Sequence, residues 1–324
     1  MATITLGDRT RHIGQPSGVV VQQGTRATAA RRSNSQLVSA QLVHRTSDAD
    51  VLPTGWTRLG GDRFLVRARW PHDHPSFRPV AGLPSPILIS ETLRQTAMML
   101  AHAEFGVPLG HHFVMWDITH VAHPERLPAG TAPAEVTVEV TCSDVRRRGS
   151  GLAGMDCHMD IRSRGRIVAS GGGALTVTSP AAYRRLRAER LEDRLPTATP
   201  PPAPEFAGVL DAREVMLAPA AEPGRWQLRT DRRHPAMLGR SNDHYPGMVL
   251  MSAAHQAAHA VADSFYPAYS SIRFSRYAEF SSPCWVEARP APSEGAGATA
   301  VRVTGRQDEQ LVFLAQLAAT APTV

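Results

Sequence analysis

Two stretches of this 324-residue chain carry the same order of apolar and polar positions. One covers residues 61–77 and resumes at 85–102; the other covers 224–238 and resumes at 243–261. Each begins with apolar and polar residues in alternation, as in Phe64-Leu65-Val66-Arg67-Ala68-Arg69-Trp70 and in residues 225–230. A period of two predicts a strand. A His-Pro pair follows, His74-Pro75 or His234-Pro235, and then a long, mostly apolar segment. That segment predicts a helix over residues 87–104 in the first copy and 246–264 in the second. A repeat of this size is two copies of one supersecondary unit, facing each other as a pseudo-dimer.

Further alternating stretches come after each helix: 112–118, 134–142, 154–161 and 167–177, then 272–280, 284–288, 298–304 and 311–319. Their pattern suits an antiparallel sheet. Gln41-Leu42-Val43 reads as a short strand, residues 181–194 as a closing helix, and Gly171-Gly172-Gly173 as a bulge within its strand. Residues 1–35 read as a loose, arginine-containing tail, 36–195 as the first repeat, 196–204 with Pro200-Pro201-Pro202 as a stiff linker, and 205–324 as the second repeat. One long helix followed by an antiparallel sheet that wraps it is the hotdog pattern. The expected fold is therefore α+β, a double hotdog in one chain.

Composition narrows this only a little. At 42% hydrophobic and 20% charged residues the chain is an ordinary globular protein. No apolar run approaches the roughly 18 residues of a membrane span, and no signal-peptide core opens the chain, so a cytoplasmic protein is expected. Cys142, Cys157 and Cys284 form neither a disulfide framework nor a zinc pattern and read as small buried apolar residues. The basic residues are all arginine, which excludes a lysine Schiff base and leaves anions to guanidinium forks. A net charge of +6 suits an acidic partner or a phosphorylated substrate. The one dense basic run, residues 183–190, is laced with acid and reads as a solvated helix, so nucleic acid is not expected.

The chemistry concentrates on the two helices. Glu91, Arg94 and Gln95 stand at i, i+3 and i+4 and share a face. The same face of the second copy carries Ser252, His255 and Gln256. A polar stripe on a surface helix is an ordinary ion pair, but on a buried helix it needs a reason. Gly247, in the first turn after Pro246, leaves room for a ligand, and free N–H groups there favour an anion or a polarised carbonyl. Histidines precede both helices: His72 and His74, then His234 and His244. Nothing completes a metal site around them, so no metal and no cofactor is expected. General base work or a hydrogen bond to a carbonyl suits them better.

In the order of a His-Pro pair, Pro-Gly-Met-Val-Leu and a helical Gln, the chain resembles the hydroxyacyl-carrier-protein dehydratases. A nearer resemblance is to the A-factor biosynthesis (AfsA-like) family, through Val43-His44-Arg45, residues 51–56, Ser90-Glu91-Thr92-Leu93-Arg94-Gln95, residues 109–117, and Asp243-His244-Tyr245-Pro246-Gly247-Met248-Val249-Leu250. These segments span about residues 40–320. The resemblance implies an acyltransferase-type enzyme that moves a β-ketoacyl group from acyl carrier protein to the hydroxyl of dihydroxyacetone phosphate, in the synthesis of γ-butyrolactone signals. It implies Glu91 as general base and Arg94 as phosphate or oxyanion partner. Gln95, His74, His234, His244, Gly247, Ser252, His255 and Gln256 would complete the binding surface, with loop residues of one unit serving the helix of the other. On this reading Glu91→Gln abolishes transfer without unfolding the protein.

The sequence departs from the family at one place. Where the second helix of the family has Glu-Ala-Ala-Arg-Gln, this chain has Ser252-Ala253-Ala254-His255-Gln256. Two alternatives stay open: a hotdog dehydratase or thioesterase on carrier-bound polyketide, and an acyl-binding protein without catalysis. The expected assembly is a monomer, itself a pseudo-dimer of repeats, or a homodimer of it.

Overall fold

The computed structural model describes residues 33–34, 38–196, 199–209, 211–231, 234, 242–262, 265–292 and 299–319. Its first half contains β1 (Ser33–Asn34), β2 (Pro53–Gly60), β3 (Arg63–Trp70), α1 (Pro86–Ala103), β4 (His112–Met115), β5 (Asp117–Ala122), β6 (Ala134–Arg148), β7 (Gly151–Ser163), β8 (Arg166–Thr178) and α2 (Pro180–Arg187). The second half contains β9 (Leu217–Pro219), β10 (Arg225–Leu228), β11 (His244–Tyr245), α3 (Gly247–Val261), β12 (Tyr269–Phe274), β13 (Ala278–Glu279), β14 (Trp285–Pro290), β15 (Ala300–Gln307) and β16 (Gln310–Ala318).

One antiparallel sheet runs through both halves in the order β1-β2-β3-β6-β7-β8-β5-β12-β16-β15-β14-β10-β9, with β4 also pairing with β8. Outward from the β5–β12 pair the order is the same on each side: β8-β7-β6-β3-β2 one way and β16-β15-β14-β10-β9 the other. That pair, in register from Tyr269 opposite Val121 to Arg273 opposite Asp117, is the seam of the pseudo-dimer. Each half wraps its sheet around its helix. Leu88, Ile89, Met99 and Leu100 of α1 and Val249, Ala253 and Ala257 of α3 are fully buried, each large side chain contributing about 1.5–3 kcal/mol. No described helix is long and apolar enough to cross a membrane.

Several boundaries differ from the sequence reading. Ser33–Asn34 pairs with Thr57 and Trp56 of β2, so the end of the expected tail joins the sheet; residues 1–32 lie outside the described residues. Ala40–Val43 is a 3₁₀ turn, not a strand. Three residues hold too few periods to separate the two, and the turn buries Val43 completely. The stretch 112–118 is split at Trp116, and 272–280 divides into β12 and β13, the latter pairing with β11 in a separate small sheet. The closing helix stops at Arg187.

Gly171-Gly172-Gly173 forms no bulge. The β7–β8 register runs unbroken past it, and the shift falls at Ile161 and Arg162. A Cβ on Gly172 would stand 1.9 Å from the Cys157 carbonyl oxygen, and one on Gly173 2.1 Å from that of Asp117. Glycine is needed because β7 and β5 press on β8 from both sides. Gly172→Ala should lose about 3 kcal/mol, the upper end of overpacking costs; a guanidinium melt with an unchanged midpoint would refute this.

Candidate active site

Helix α1 starts cleanly. Pro86 occupies its first turn and Ser85 caps it, the Oγ accepting from the Ile87 N–H at 3.2 Å. The helix is buried nearly throughout, so its polar stripe must be satisfied by protein. Glu91 has no exposed surface, and both its oxygens are taken. Its Oε1 accepts from Arg45 Nε at 3.0 Å, Arg45 Nη2 at 2.5 Å, Arg94 Nη2 at 2.7 Å and Gln95 Nε2 at 2.6 Å; its Oε2 accepts from Arg94 Nε at 2.8 Å. Burial alone would raise the Glu91 pKa, but Arg45 and Arg94 overturn that and hold it at about 2. Arg94 also donates to the Val43 carbonyl at 3.1 Å.

Gln95 clamps the chain before β2. Its Nε2 donates to the Asp50 carbonyl at 2.7 Å and its Oε1 accepts from the Leu52 N–H at 2.9 Å. Gln256 of α3 makes the same clamp in the second half, from Nε2 to the Glu214 carbonyl at 2.7 Å and from the Met216 N–H to Oε1 at 2.8 Å. Asp50 and Glu214 are thus equivalent positions. Both lie in 3₁₀ turns, Asp48–Asp50 and Ala212–Glu214.

His74, of the first His-Pro pair, sits on the Asp48–Asp50 turn. His74 Nδ1 accepts from the Ser76 N–H at 3.2 Å, so Nε2 carries the proton and donates to Asp50 Oδ1 at 2.8 Å. The ring stacks on Phe77, and both its nitrogens are engaged. His234 of the other half is buried and lies within the field of Arg45, Asp50 and His74. Burial, reinforced by Arg45, lowers its pKa to about 4 and leaves the imidazole neutral. His234 of the second half is thus within electrostatic reach of Arg45 and Asp50 of the first.

His244 is held elsewhere, against Asp243 Oδ1 at 2.7 Å and beside Tyr183 and the Tyr277 ring. Ser252 is buried on α3. His255 does not reproduce the Arg94 arrangement: its Nε2 pairs with Ser270 Oγ at 3.0 Å, and burial pushes its pKa down to about 3. Within the first half His120 pairs with Ser90 Oγ at 3.0 Å. Gly247 is exposed and faces the Phe274 ring; α3, unlike α1, has no side-chain cap at its N-terminus. Among the described residues no group of three or more His, Cys, Asp or Glu is arranged to hold a metal.

A shallow cleft with an enclosed volume of only about 10 Å³ lies between α1 and the sheet, lined by Leu93, Arg94, Ala97, Met115, Met159 and Leu175 among others. Arg94 is the charged side chain that joins it to the Glu91 network.

The A-factor biosynthesis hotdog domain model (AfsA) matches residues 26–179 and again 192–321. The chain belongs to this A-factor biosynthesis family. Its relatives include a Streptomyces virginiae protein named 2-oxo-3-(phosphooxy)propyl 3-oxoalkanoate synthase, 45% identical over 85% of this chain and 95% of the relative. A Streptomyces coelicolor protein of the same name is 42% identical over 94% of this chain and 99% of the relative. Among solved structures, one described as an oleoyl thioesterase of Lactobacillus plantarum superposes with a TM-score of 0.51 at 13% identity, covering 82% of this chain and all of the other. That likeness establishes the hotdog fold alone.

Within the family frame, the sequence pointed to Glu91, Arg94 and Gln95 but missed Arg45, Asp50 and Glu214. Arg45 closes the Glu91 network from 46 residues away. Its one signal was its place in the Val43-His44-Arg45 segment.

Proposed function

We propose that this family member is an acyltransferase-type synthase that joins a 3-oxoacyl group, delivered as a thioester, to a hydroxyl of dihydroxyacetone phosphate. The observation that carries the reading is the match, over nearly the whole chain, to two synthases whose names describe that ester. The intact first-half network supports it. Glu91 is an anion at any working pH, and its work is to orient two guanidiniums. Arg94 lines the shallow, mostly apolar cleft beside α1. Arg45 keeps its Nη1 free of hydrogen bonds among the described residues. Fixed donors of this kind stabilise the oxygen that becomes negative when a thioester carbonyl is attacked.

In this reading residues 36–195 and 205–324 are the two halves, and the first helix serves the working site with His234 from the second half. The altered Ser252 and His255 leave the second helix without an equivalent network. The donor is an acyl carrier protein, whose acidity suits a chain of net charge +6. Purified protein supplied with a 3-oxoacyl carrier protein and dihydroxyacetone phosphate is expected to yield the phosphorylated ester, or the butenolide that closes from it, by mass spectrometry. Release of free acid or enoyl product would replace this reading with a thioesterase or dehydratase. Acyl binding without turnover would make the chain a binding protein.

A further inference from the structure

The attack of a hydroxyl on a thioester needs a proton acceptor, and Glu91, His74 and His255 are already committed. Glu91 has both oxygens occupied by arginine and glutamine N–H groups. His74 uses both ring nitrogens, and His255 is paired with Ser270. Comparison of the two equivalent turns isolates one carboxyl that is not. Asp50 is bonded to His74. Glu214, at the same place in the second half, is 8% exposed, and its Oε1 is buried with no hydrogen-bond partner among the described residues.

The backbone around Glu214 is held from three sides. Gln256 fixes the Glu214 carbonyl and the Met216 N–H. Arg229, itself buried, donates to the Val215 carbonyl at 2.5 Å and the Ala212 carbonyl at 3.4 Å. Asp211 caps the turn by accepting from the Arg213 N–H at 2.8 Å. None of these touches the Glu214 carboxyl. In the first half the counterpart of Arg229 is Arg69, since each donates its backbone N–H to the residue two beyond the clamped carbonyl, Leu52 or Met216. The Arg69 side chain is 62% exposed. The second half therefore braces a turn whose acid it leaves uncommitted, and a rigid, unpaired buried carboxyl is costly unless it has a use.

We propose that Glu214 is the catalytic proton acceptor of the acyl transfer, in a site completed by the His74 loop of the first half. The inference rests on the synthase reading above. In the step, the acceptor hydroxyl oxygen bonds to the thioester carbon while its proton passes to the Glu214 carboxylate. The C–S bond then breaks, and the proton returns from Glu214 to the departing sulfur, giving ester and free thiol. The groups acting on Glu214 are Arg78 and His74 from the first half and Asp211 and Arg213 from its own turn. Burial is the largest influence and lifts its pKa to about 7, where proton transfer in both directions is efficient.

The test is kcat/KM for the 3-oxoacyl thioester and dihydroxyacetone phosphate from about pH 5 to about pH 9, for the native protein, Glu214→Gln and Glu214→Asp. The native profile is expected to fall tenfold per pH unit below about 7. Glu214→Gln should lower the rate by about 10²–10⁴-fold and flatten that limb, and Glu214→Asp should restore the limb with part of the rate. Difference infrared spectra of native protein against Glu214→Gln should show one protonated carboxyl that titrates near 7. Activity of Glu214→Gln within a few-fold of native overturns the proposal. So does a loss with the limb unchanged, which would make Glu214 a brace of its turn, or a limb at about 4, which would belong to His234. Absence of the titrating carboxyl overturns it whatever the turnover. Failure of the native protein to form ester removes the synthase reading itself; native turnover with an indifferent Glu214→Gln removes only this inference.

Discussion

Glu91→Gln will cost the protein both its activity and about 3–5 kcal/mol of stability. The carboxylate it removes faces two buried arginines, and breaking a buried ion pair from one side leaves the other charge without a partner. The expectation from sequence, activity lost with the fold untouched, does not fit a residue enclosed by Arg45, Arg94 and Gln95. Denaturant unfolding checks the magnitude. Its pH dependence checks the cause. The folded pKa of Glu91 is depressed from 4.5 to about 2, so its contribution is full above about 4.5 and is lost as the pH falls toward 2. That difference corresponds to about 3 kcal/mol. The gap between native protein and Glu91→Gln should therefore close through that acid range. Adding Arg45→Met should recover part of the loss, because it removes one unpaired charge. A gap that persists unchanged at pH 2 would refute the account.

Arg187→Ala should be as damaging, at about 3–5 kcal/mol, though it lies far along the chain from the Glu91 network. Arg187, on α2, sends a fork to both Glu279 oxygens at 2.6 Å and donates from Nε to Asp243 Oδ2 at 2.8 Å, while its guanidinium lies over the Tyr277 ring at 4.4 Å. Tyr183 donates to the other Asp243 oxygen at 2.8 Å. Burial opposes ionisation of Asp243, but His244, Arg187 and Tyr183 hold its carboxyl well below the usual range. The last helix of the first half is thereby fastened to the residues that open α3. Hydrogen exchange should accelerate selectively over residues 242–262 in Arg187→Ala, and uniform protection would show that the fastening is not local.

Most of the architecture was legible because each element is long enough to show its period. The helix centred on Glu91 and the strands on either side of it repeat their pattern over many residues, and the second copy reinforces the first. Short elements were lost: Ala40–Val43 has one turn of information, and a turn and a strand look alike at that length. The stripe of Glu91, Arg94 and Gln95 was legible because polar residues on a buried helix are conspicuous. Their partners were not, since Arg45 and Asp50 meet the helix only after the chain has folded back. His244 follows from the same cause. It precedes α3 as His74 precedes α1, but Asp243 beside it and Tyr183 from α2 take it into another network. Glu214 gave no signal of its own; its equivalence to Asp50 emerges only when the Gln95 and Gln256 clamps are set side by side.

Because β5 and β12 close two halves of one polypeptide, a substitution strikes one half alone. In a homodimer with the same sheet every change would be inherited twice per molecule, and a damaged helix could never sit beside a sound one. Fusion into a single gene lets one half stay under selection while the other drifts. Ser252 and His255 stand where the other half has Glu91 and Arg94, and Glu214 where it has Asp50, so each half carries its own chemistry at the same place in the fold.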